Sequence, residues 1–242
     1  MAPETRGPAV IFDLDGTLLD TVPDSQAALN VVFAAAGLPT LTLDQIRTTV
    51  GDGARSMIGR ALAITGQEAP PSAIDDLLQQ YLAACLREPG RHTVIYDGAV
   101  AALSALRDRG AALGICTNKP KVTTRAVLGA LKLDSFFAAV LCPEDVPHRK
   151  PDGRHVLATL RALNATRNNA VFVGDSETDI AAAVDAGIKS ILVTWGYCHV
   201  PPARLPADAR INHFTDLIPM LDRLAGGYGS YQHSHPTAKT AD

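Results

Sequence analysis

The sequence has little that would point to nucleic acids, to membranes or to an oxidising compartment. Its 22 lysines and arginines are outnumbered by 25 aspartates and glutamates, so no overall basic field favours nucleic acid or an anionic membrane. No apolar run approaches the length of a membrane span, and Met1 to Pro8 lack the apolar core of a signal peptide. The four cysteines form no Cys-x-x-Cys pair and no zinc-like spacing. We therefore expect a cytoplasmic protein that binds neither nucleic acid nor membrane.

What the sequence does contain is a regular alternation of short apolar runs and segments with helical spacing. Runs rich in Val, Ile and Leu are typical of strands buried on both faces of a parallel sheet. The predicted strands are 9–13, 112–117, 138–142, 170–174 and 190–194. The predicted helices between them are 100–109, 121–131, 153–163 and 178–186. This alternation predicts an α/β fold with a doubly wound parallel sheet.

One long segment interrupts the alternation, because residues 21–87 show only helical patterns. The predicted helices are 24–36, one that begins at a capping box of Thr42 and Gln45, 54–64 and 72–86. We predict a helical cap domain at 21–87, inserted into a core formed by 1–20 and 88–225. The alternative is a helical excursion that only covers the sheet. Residues 226–242 have almost no aliphatic side chains and are predicted to be a disordered tail.

The first predicted strand leads into Asp13-Leu14-Asp15-Gly16-Thr17. We expect the strand to stop at Asp13 and the turn at Gly16 to leave both carboxylates at its carboxyl end, where open α/β sheets bind ligands. Two carboxylates so close repel each other unless a cation lies between them or one holds a proton. The pattern therefore indicates a hard divalent metal, an acid/base pair, or both. The alternative is a local turn with a solvated Asp15.

Two further segments combine the end of a strand or the start of a helix with groups that suit phosphate. Thr117 and Asn118 offer side-chain donors beside free backbone N–H groups, although they could equally cap the next helix. Lys150 precedes Pro151, which we place at the first helical position, so that the ammonium lies at the helix entrance. There it would neutralise a phosphate, whereas the usual alternative is a solvated surface lysine.

A last polar segment follows the predicted strand 170–174. Asp175 and Asp179 are four residues apart, which is close to one helical turn. The alternative is that Asp175 caps a helix and Asp179 complements its dipole. That explains the helix start but not the repetition of polar groups at the ends of several strands. The repetition predicts one metal and phosphate site.

The motifs Asp-x-Asp-Gly-Thr, Thr-Asn, Lys-Pro and Gly-Asp-x-x-x-Asp occur in this order. The series resembles the four motifs of the haloacid dehalogenase-like hydrolase superfamily. The resemblance implies a Rossmann-like core, a helical cap inserted after the first motif, and hydrolysis of phosphate monoesters through an aspartyl-phosphate. It also implies that Asp13 is the nucleophile and that Asp15 is the general acid and base.

The same resemblance implies the remaining roles in the site. Mg²⁺ would be the cofactor, held by oxygen ligands that complete an octahedron with water. Its implied ligands are Asp13, the backbone carbonyl of Asp15, Asp175 and, through water, Asp179. The implied phosphate-binding and catalytic groups are Thr117, Asn118 and Lys150, which would stabilise charge on the phosphoryl oxygens.

The cap segment 50–62 is similar to the cap segment of bacterial phosphoglycolate phosphatases. Gly51 and Gly53 would let a loop approach a small substrate closely, and Arg55 could pair with its carboxylate. Arg60, further along the same helix, is a second candidate. The alternative is an ordinary turn with a solvated arginine. We expect the partner to be a small phosphorylated metabolite, with 2-phosphoglycolate favoured, and the protein to be a monomer or a homodimer.

Other functions remain open on the sequence alone. Relatives that resemble dehalogenases or phosphonate hydrolases lack an acid at the position of Asp15, which favours a phosphatase or a phosphomutase. The alternatives are a β-phosphoglucomutase-like mutase, or a phosphatase for a sugar phosphate, a nucleotide or pyrophosphate. The alternative outside enzymes is a phosphate-binding regulatory module, against which the intact acidic residues argue.

Overall fold

The computed structural model describes residues 8–225 of the chain. Its strands are β1 (Ala9–Phe12), β2 (Leu19–Asp20), β3 (Val94–Ile95), β4 (Ala112–Cys116), β5 (Ala139–Leu141), β6 (Ala170–Gly174), β7 (Lys189–Val193) and β8 (Ala209–Ile211). Its α-helices are α1 (Val22–Ala35), α2 (Leu43–Arg47), α3 (Ala54–Ile64), α4 (Pro71–Cys85), α5 (Ala99–Asp108), α6 (Lys121–Ala130), α7 (Gly153–Ala162), α8 (Glu177–Ala186) and α9 (Leu217–Ala225). Within this part of the chain, no helix has the length and apolar composition that crossing a bilayer requires.

Six strands form one parallel sheet in the order β5-β4-β1-β6-β7-β8. The chain moves outward from β1 in both directions, which is the doubly wound arrangement predicted from the alternation. One apolar cluster packs α5 and α9 on one face of the sheet, and another packs α7 and α8 on the opposite face. The predicted fold class is therefore confirmed.

The predicted strands and sheet-covering helices agree with the structure to within one residue at each end. The patterns missed elements that are very short, such as β8, or that contain a residue unusual for a helix, such as the proline in α9. β8 has three residues with an exposed Arg210 in the middle, too few for a periodic pattern. Pro219 lies in the first turn of α9, where its missing N–H costs nothing because that group has no partner within the helix.

The inserted segment is helical, as predicted. Helices α1 to α4 bury their apolar side chains in a cluster that includes Leu29, Phe33, Ile46 and Ile58, is separate from the two clusters on the sheet, and takes one residue, Tyr197, from outside the insertion. The capping box that begins α2 is present, with the Thr42 hydroxyl accepting from Gln45 N–H and the Gln45 side chain accepting from Thr42 N–H. The insertion is thus a packed unit rather than a cover for the sheet.

The two chain crossings of this insertion lie side by side. β2 leads into α1, β3 follows α4, and the two strands pair antiparallel, with Leu19 opposite Ile95 and Asp20 opposite Val94. The predicted domain limits at 20, 21, 87 and 88 stay predictions. The predicted disordered tail at 226–242 lies outside the described residues.

Candidate active site

The ends of three neighbouring strands place polar side chains at one edge of the sheet. Asp13 follows β1, Thr117 follows β4 and Asp175 follows β6, so the strand order brings them together. Each side chain is buried, and the N–H of Asp13 donates to the carbonyl of Val173 at 2.9 Å, which fixes the backbone where the strand ends. As predicted, these strand ends lie together at the carboxyl edge of the sheet.

Three carboxylates form a compact cluster at this edge. One oxygen each of Asp13, Asp175 and Asp179 lies within 4.8 Å of the others. Burial raises the pKa of Asp13 to about 7, against the opposing effect of Lys150, and burial together with Asp179 raises the pKa of Asp175 well above its ordinary value. Such crowded anionic oxygens are a donor set that a hard divalent cation fits, because the cation offsets both their repulsion and their desolvation.

Lys150 lies inside this cluster and is not a solvated surface lysine. Its Nζ donates to Asp13 Oδ1 at 2.7 Å and to Asp179 Oδ1 at 2.6 Å, and the residue is only 3% exposed. Burial disfavours the charged ammonium, but the two carboxylates outweigh it and raise the pKa of Lys150 above its ordinary value. A fixed positive charge therefore stands directly beside Asp13.

The predicted helix start after Lys150 is wrong in one detail. Pro151 precedes α7 instead of occupying its first position, and Asp152 is the N-cap. The Asp152 carboxylate accepts from the N–H of Arg154 at 2.9 Å. The first backbone N–H groups of a helix have no partner within the helix, and an aspartate side chain can accept from one of them whereas proline cannot. The helix therefore begins at Gly153.

The acidic residues at the start of α8 are held by neighbouring donors. The N-cap is Ser176 and not Asp175, and Asp179 completes a capping box with it, accepting from the backbone N–H of Ser176 at 3.1 Å and also from its hydroxyl at 2.7 Å. Asp175 accepts from the Thr17 hydroxyl at 2.8 Å and from the N–H of Tyr197 at 2.7 Å. These bonds leave Asp175 free of a capping role and fix its carboxylate toward Asp13.

Asp15 occupies a different environment from Asp13. Its carboxylate accepts from the Thr21 hydroxyl at 2.8 Å and from Lys119 Nζ at 3.1 and 3.2 Å. It therefore lies outside the three-carboxylate cluster and is not a solvated turn residue. Two carboxylates with distinct surroundings are suited to distinct roles. Coordination of a metal by the Asp15 backbone carbonyl stays a prediction.

Thr117 and Asn118 do not cap the following helix. The N-cap of α6 is Pro120, whereas the Thr117 hydroxyl accepts from the N–H of Lys119 at 3.1 Å and the Asn118 amide donates to the Lys150 carbonyl at 3.1 Å. The side-chain oxygen of Asn118 is buried without a hydrogen-bond partner among residues 8–225. Both side chains thus stay at the carboxyl end of β4, the strand that pairs with β1.

A loop of the helical insertion closes on these strand ends. The Val50 carbonyl accepts from His199 Nε2 at 3.0 Å, and Asp52 accepts from the Thr178 hydroxyl at 3.0 Å. Gly53 has a φ of +87°, and a Cβ on it would lie 3.0 Å from the backbone oxygen of Asn118. The absence of a side chain at Gly53 therefore allows the loop to contact the core.

The other predicted cap residues lie around this loop. Gly51 is beside His199, since a Cβ there would lie 3.9 Å from Nε2, and Arg60 forms an ion pair with Asp52. Arg55 pairs instead with Asp75 on α4, with 2.7 Å between Nε and Oδ1 and 47% of its side chain exposed. Contact of Gly51 and Arg55 with a substrate stays a prediction.

Sequence reasoning missed Thr21, Lys119 and Tyr197 as parts of the site. Lys119 directly follows the Thr117-Asn118 pair, so its position just after a predicted strand could have identified it as a site residue. Tyr197 lies in an irregular segment after β7 and carries no periodic signal. Its hydroxyl donates to Asp20 at 2.7 Å and accepts from the N–H of Thr21 at 2.9 Å.

Comparison with known proteins agrees with this geometry. Residues 10–193 match the family model described as haloacid dehalogenase-like hydrolase. A phosphoglycolate phosphatase of Agrobacterium fabrum is 40% identical over 221 residues, covering 91% of this chain and 95% of the relative. A phosphoglycolate phosphatase of Caulobacter vibrioides is 38% identical over 214 residues, covering 88% of this chain and 90% of the relative.

The solved structures include a chain from Haemophilus somnus described as a predicted phosphoglycolate phosphatase. It superposes with a TM-score of 0.82 at 26% identity, covering 90% of this chain and 99% of that one. The family match spans all four polar segments and the helical insertion between them. This chain therefore belongs to the haloacid dehalogenase-like hydrolase family.

Proposed function

We propose that this protein is a Mg²⁺-dependent phosphate monoester hydrolase that converts 2-phosphoglycolate to glycolate and phosphate. The observation that carries the proposal is the extent of similarity to phosphoglycolate phosphatases, up to 40% identity over nine tenths of the chain. The surroundings of Asp13 and Asp15 support the reaction class, because Asp13 lies in the acidic cluster beside Lys150, whereas Asp15 lies apart from that cluster and is held by Thr21 and Lys119.

In the first half-reaction, an oxygen of Asp13 attacks phosphorus and forms an aspartyl-phosphate. The bond from phosphorus to the ester oxygen breaks, and Asp15 gives its proton to the departing alkoxide. Lys150 orients Asp13 and, with Thr117 and Asn118, binds the phosphoryl oxygens, where negative charge accumulates. The product alcohol then leaves.

In the second half-reaction, Asp15 takes a proton from water, which attacks phosphorus and releases phosphate and free Asp13. Asp13, Asp175 and the backbone carbonyl of Asp15 would hold Mg²⁺, with Asp179 in its surroundings. When bound, the ion neutralises charge on the phosphoryl group. Residues 21–87 act as a cap on the core of 1–20 and 88–225, and closure through the loop at Gly51 and Gly53 excludes water.

A panel of phosphate esters tests the proposal. Turnover of 2-phosphoglycolate is measured with Mg²⁺ and with excess EDTA, beside a sugar phosphate, a nucleotide, pyrophosphate and a hexose phosphate supplied with hexose bisphosphate. We expect Mg²⁺-dependent release of phosphate, with the highest kcat/KM for 2-phosphoglycolate. Isomerisation of the hexose phosphate would instead indicate a mutase, and binding of phosphate without turnover of any ester would indicate a regulatory module.

Asp175→Asn is expected to remove the stabilisation that Mg²⁺ gives the protein. A ligand at 100 times its Kd adds about 2.7 kcal/mol to the free energy of unfolding, which for a chain of this size raises Tm by roughly 5–10 °C. The amide keeps the shape of the carboxylate but not the charge that attracts the ion. Tm measured with and without Mg²⁺ checks this shift directly, without reference to turnover.

The control for this variant is Asp222→Asn, which changes an exposed carboxylate paired with Arg109. It should keep the full shift in Tm. Ca²⁺ should also raise Tm but inhibit turnover, because its longer and looser coordination disturbs in-line attack. The same Mg²⁺ shift in Asp175→Asn as in the wild type, or full turnover in excess EDTA, would contradict the assigned metal site.

Gly53→Ala is expected to weaken closure of the cap. The new Cβ would meet the Asn118 carbonyl oxygen at 3.0 Å, and Gly53, with φ of 87° and ψ of 165°, occupies a backbone region found almost only in glycine, where alanine costs about 1–3 kcal/mol. We expect kcat/KM to fall roughly 5- to 150-fold. Gly59→Ala in α3 is the matched control, because a Cβ there meets nothing within 4 Å. Equal kcat/KM in the two variants would show that the loop contact does not contribute to turnover.

A further inference from the structure

Lys119 is a largely buried cation to which the proposed phosphoryl chemistry gives no contact with the substrate. Its Nζ contacts both oxygens of Asp15, and 12% of its side chain is exposed. An ammonium has three N–H donors, so these two contacts leave one N–H for another acceptor. Lys150 already supplies the positive charge beside Asp13. Lys119 is therefore available to a different part of the substrate.

A cavity of about 240 Å³ opens beside Lys119, between α1, α4 and the start of α6. Its lining includes Thr21, Ser25, Tyr81, Cys85 and Lys119. Thr21 and Lys119 are also the two donors that hold the Asp15 carboxylate, so the cavity wall formed by these two residues lies next to Asp15. The volume is below the roughly 300–1,000 Å³ of sites that hold drug-sized ligands, which suits a small leaving group.

Distances around Asp15 limit where the leaving group can lie. A general acid must come within about 2.6–3.2 Å of the oxygen that it protonates, so the ester oxygen lies next to the Asp15 carboxylate. Nζ of Lys119 is 3.1 Å from that same carboxylate. In 2-phosphoglycolate the carboxyl carbon is only two bonds beyond the ester oxygen. A substrate carboxylate directed into the cavity therefore comes within reach of the remaining N–H of Lys119.

The other cations near the cavity are less suitable. Arg87 lies exposed on its rim, and Arg91 is paired with Glu88. Arg55, the cap residue favoured by the sequence, pairs with Asp75. Asp75 is six residues before Tyr81, the first residue of α4 that lines the cavity, which is about 9 Å along the helix axis.

We propose that Lys119 is the residue that selects a carboxylate-bearing leaving group, binding the carboxylate of 2-phosphoglycolate in the cavity between α1, α4 and α6. This inference rests on the proposed function, since it assigns the substrate group that the site recognises. Charge-assisted hydrogen bonds in a largely buried site discriminate strongly between ligands that carry the charge and ligands that lack it.

The test compares Lys119→Met with the wild type on three esters of similar size. They are 2-phosphoglycolate, 2-hydroxyethyl phosphate and phosphoethanolamine, whose leaving groups are anionic, neutral and cationic. We expect kcat/KM for 2-phosphoglycolate to fall about 10- to 100-fold. The neutral and cationic esters should share only the smaller loss that follows from removing one of the two donors to Asp15, with the cationic ester losing the least. Arg87→Met, which removes an exposed charge from the rim of the same cavity, is the matched control and should change none of them.

A binding measurement separates selection from effects on the chemical steps. Titration of 2-phosphoglycolate into the slow variant Asp13→Asn, with and without Lys119→Gln, should show affinity lost with the lysine. The same titration with 2-hydroxyethyl phosphate should show little change. Tm of each variant establishes that it is folded, and the glutamine keeps a polar end if methionine destabilises the protein.

The outcomes distinguish this inference from the function on which it rests. Equal losses on all three esters would mean that Lys119 only positions Asp15, which overturns the inference and leaves the function intact. Selective loss of 2-phosphoglycolate in Arg55→Ala, and not in Lys119→Met, would assign the carboxylate to the cap arginine and also overturn it. A wild type without preference for 2-phosphoglycolate would reject the proposed substrate itself.

Discussion

Asp13→Asn should lower kcat by about 10⁴- to 10⁶-fold, the loss typical of removing a nucleophile that acts with its neighbours as a unit. The amide has the shape of the carboxylate but cannot form the aspartyl-phosphate. In this variant Lys150 keeps its contact with Asp179 at 2.6 Å. Burial raises the pKa of Asp13, which means that its negative charge destabilises the folded protein when no metal is bound. The substitution removes that charge. We therefore expect the Tm of the metal-free variant to be no lower than that of the wild type.

Turnover and trapping together check this prediction. Beryllium fluoride, a mimic of the phosphoryl group, should bind to the wild type in the presence of Mg²⁺ and give bound ¹⁹F signals that are missing in Asp13→Asn. Asp13→Ala guards against slow conversion of asparagine back to aspartate. Turnover near the wild-type rate in the alanine variant would remove Asp13 from the role of nucleophile.

Asp15→Asn should slow both half-reactions by about 10²- to 10⁴-fold, because the amide can neither give nor accept the proton. The two half-reactions can be measured separately with p-nitrophenyl phosphate, because its leaving group departs without protonation and the first half-reaction then needs no general acid. With this ester the aspartyl-phosphate should form at a rate close to that of the wild type and decay slowly. Rapid mixing should therefore show a burst of nitrophenolate equal to the concentration of sites, followed by slow turnover.

Thr21→Val is the companion variant for Asp15. It removes the hydroxyl that donates to Asp15 at 2.8 Å but leaves Lys119 in place, so its effect on both steps should be much smaller. A change in KM alone for Asp15→Asn, with no burst, would make Asp15 a binding residue and not the general acid and base.

The parts of the site that the sequence predicted are those set by strand periodicity. Asp13, Thr117 and Asp175 each follow a buried apolar run, and parallel strands place such residues at one edge of a sheet. Local patterns were therefore sufficient to predict that groups 58 to 162 residues apart in the sequence lie at one edge of the sheet. The capping box at Thr42 was predictable for a similar reason, since both of its bonds lie within one turn.

The parts that the sequence did not predict depend on tertiary contacts. Nothing in the order of residues indicates that Tyr197 contacts both Asp175 and Thr21, or that Lys119 turns toward Asp15 and away from solvent. The start of α7 was misplaced because two local preferences competed, proline at the first turn and aspartate at the N-cap, and the aspartate prevailed.

The pairing of β2 with β3 has a consequence for how the molecule could be altered. Because Leu19 lies opposite Ile95, the chain leaves the core and returns to it at nearly the same point, with paired Cα atoms about 5 Å apart. A segment whose ends already meet can be shortened, lengthened or exchanged without moving the strands of the sheet. We therefore expect a graft between positions 20 and 94 to change what reaches Asp13 while leaving the strands of the sheet in place.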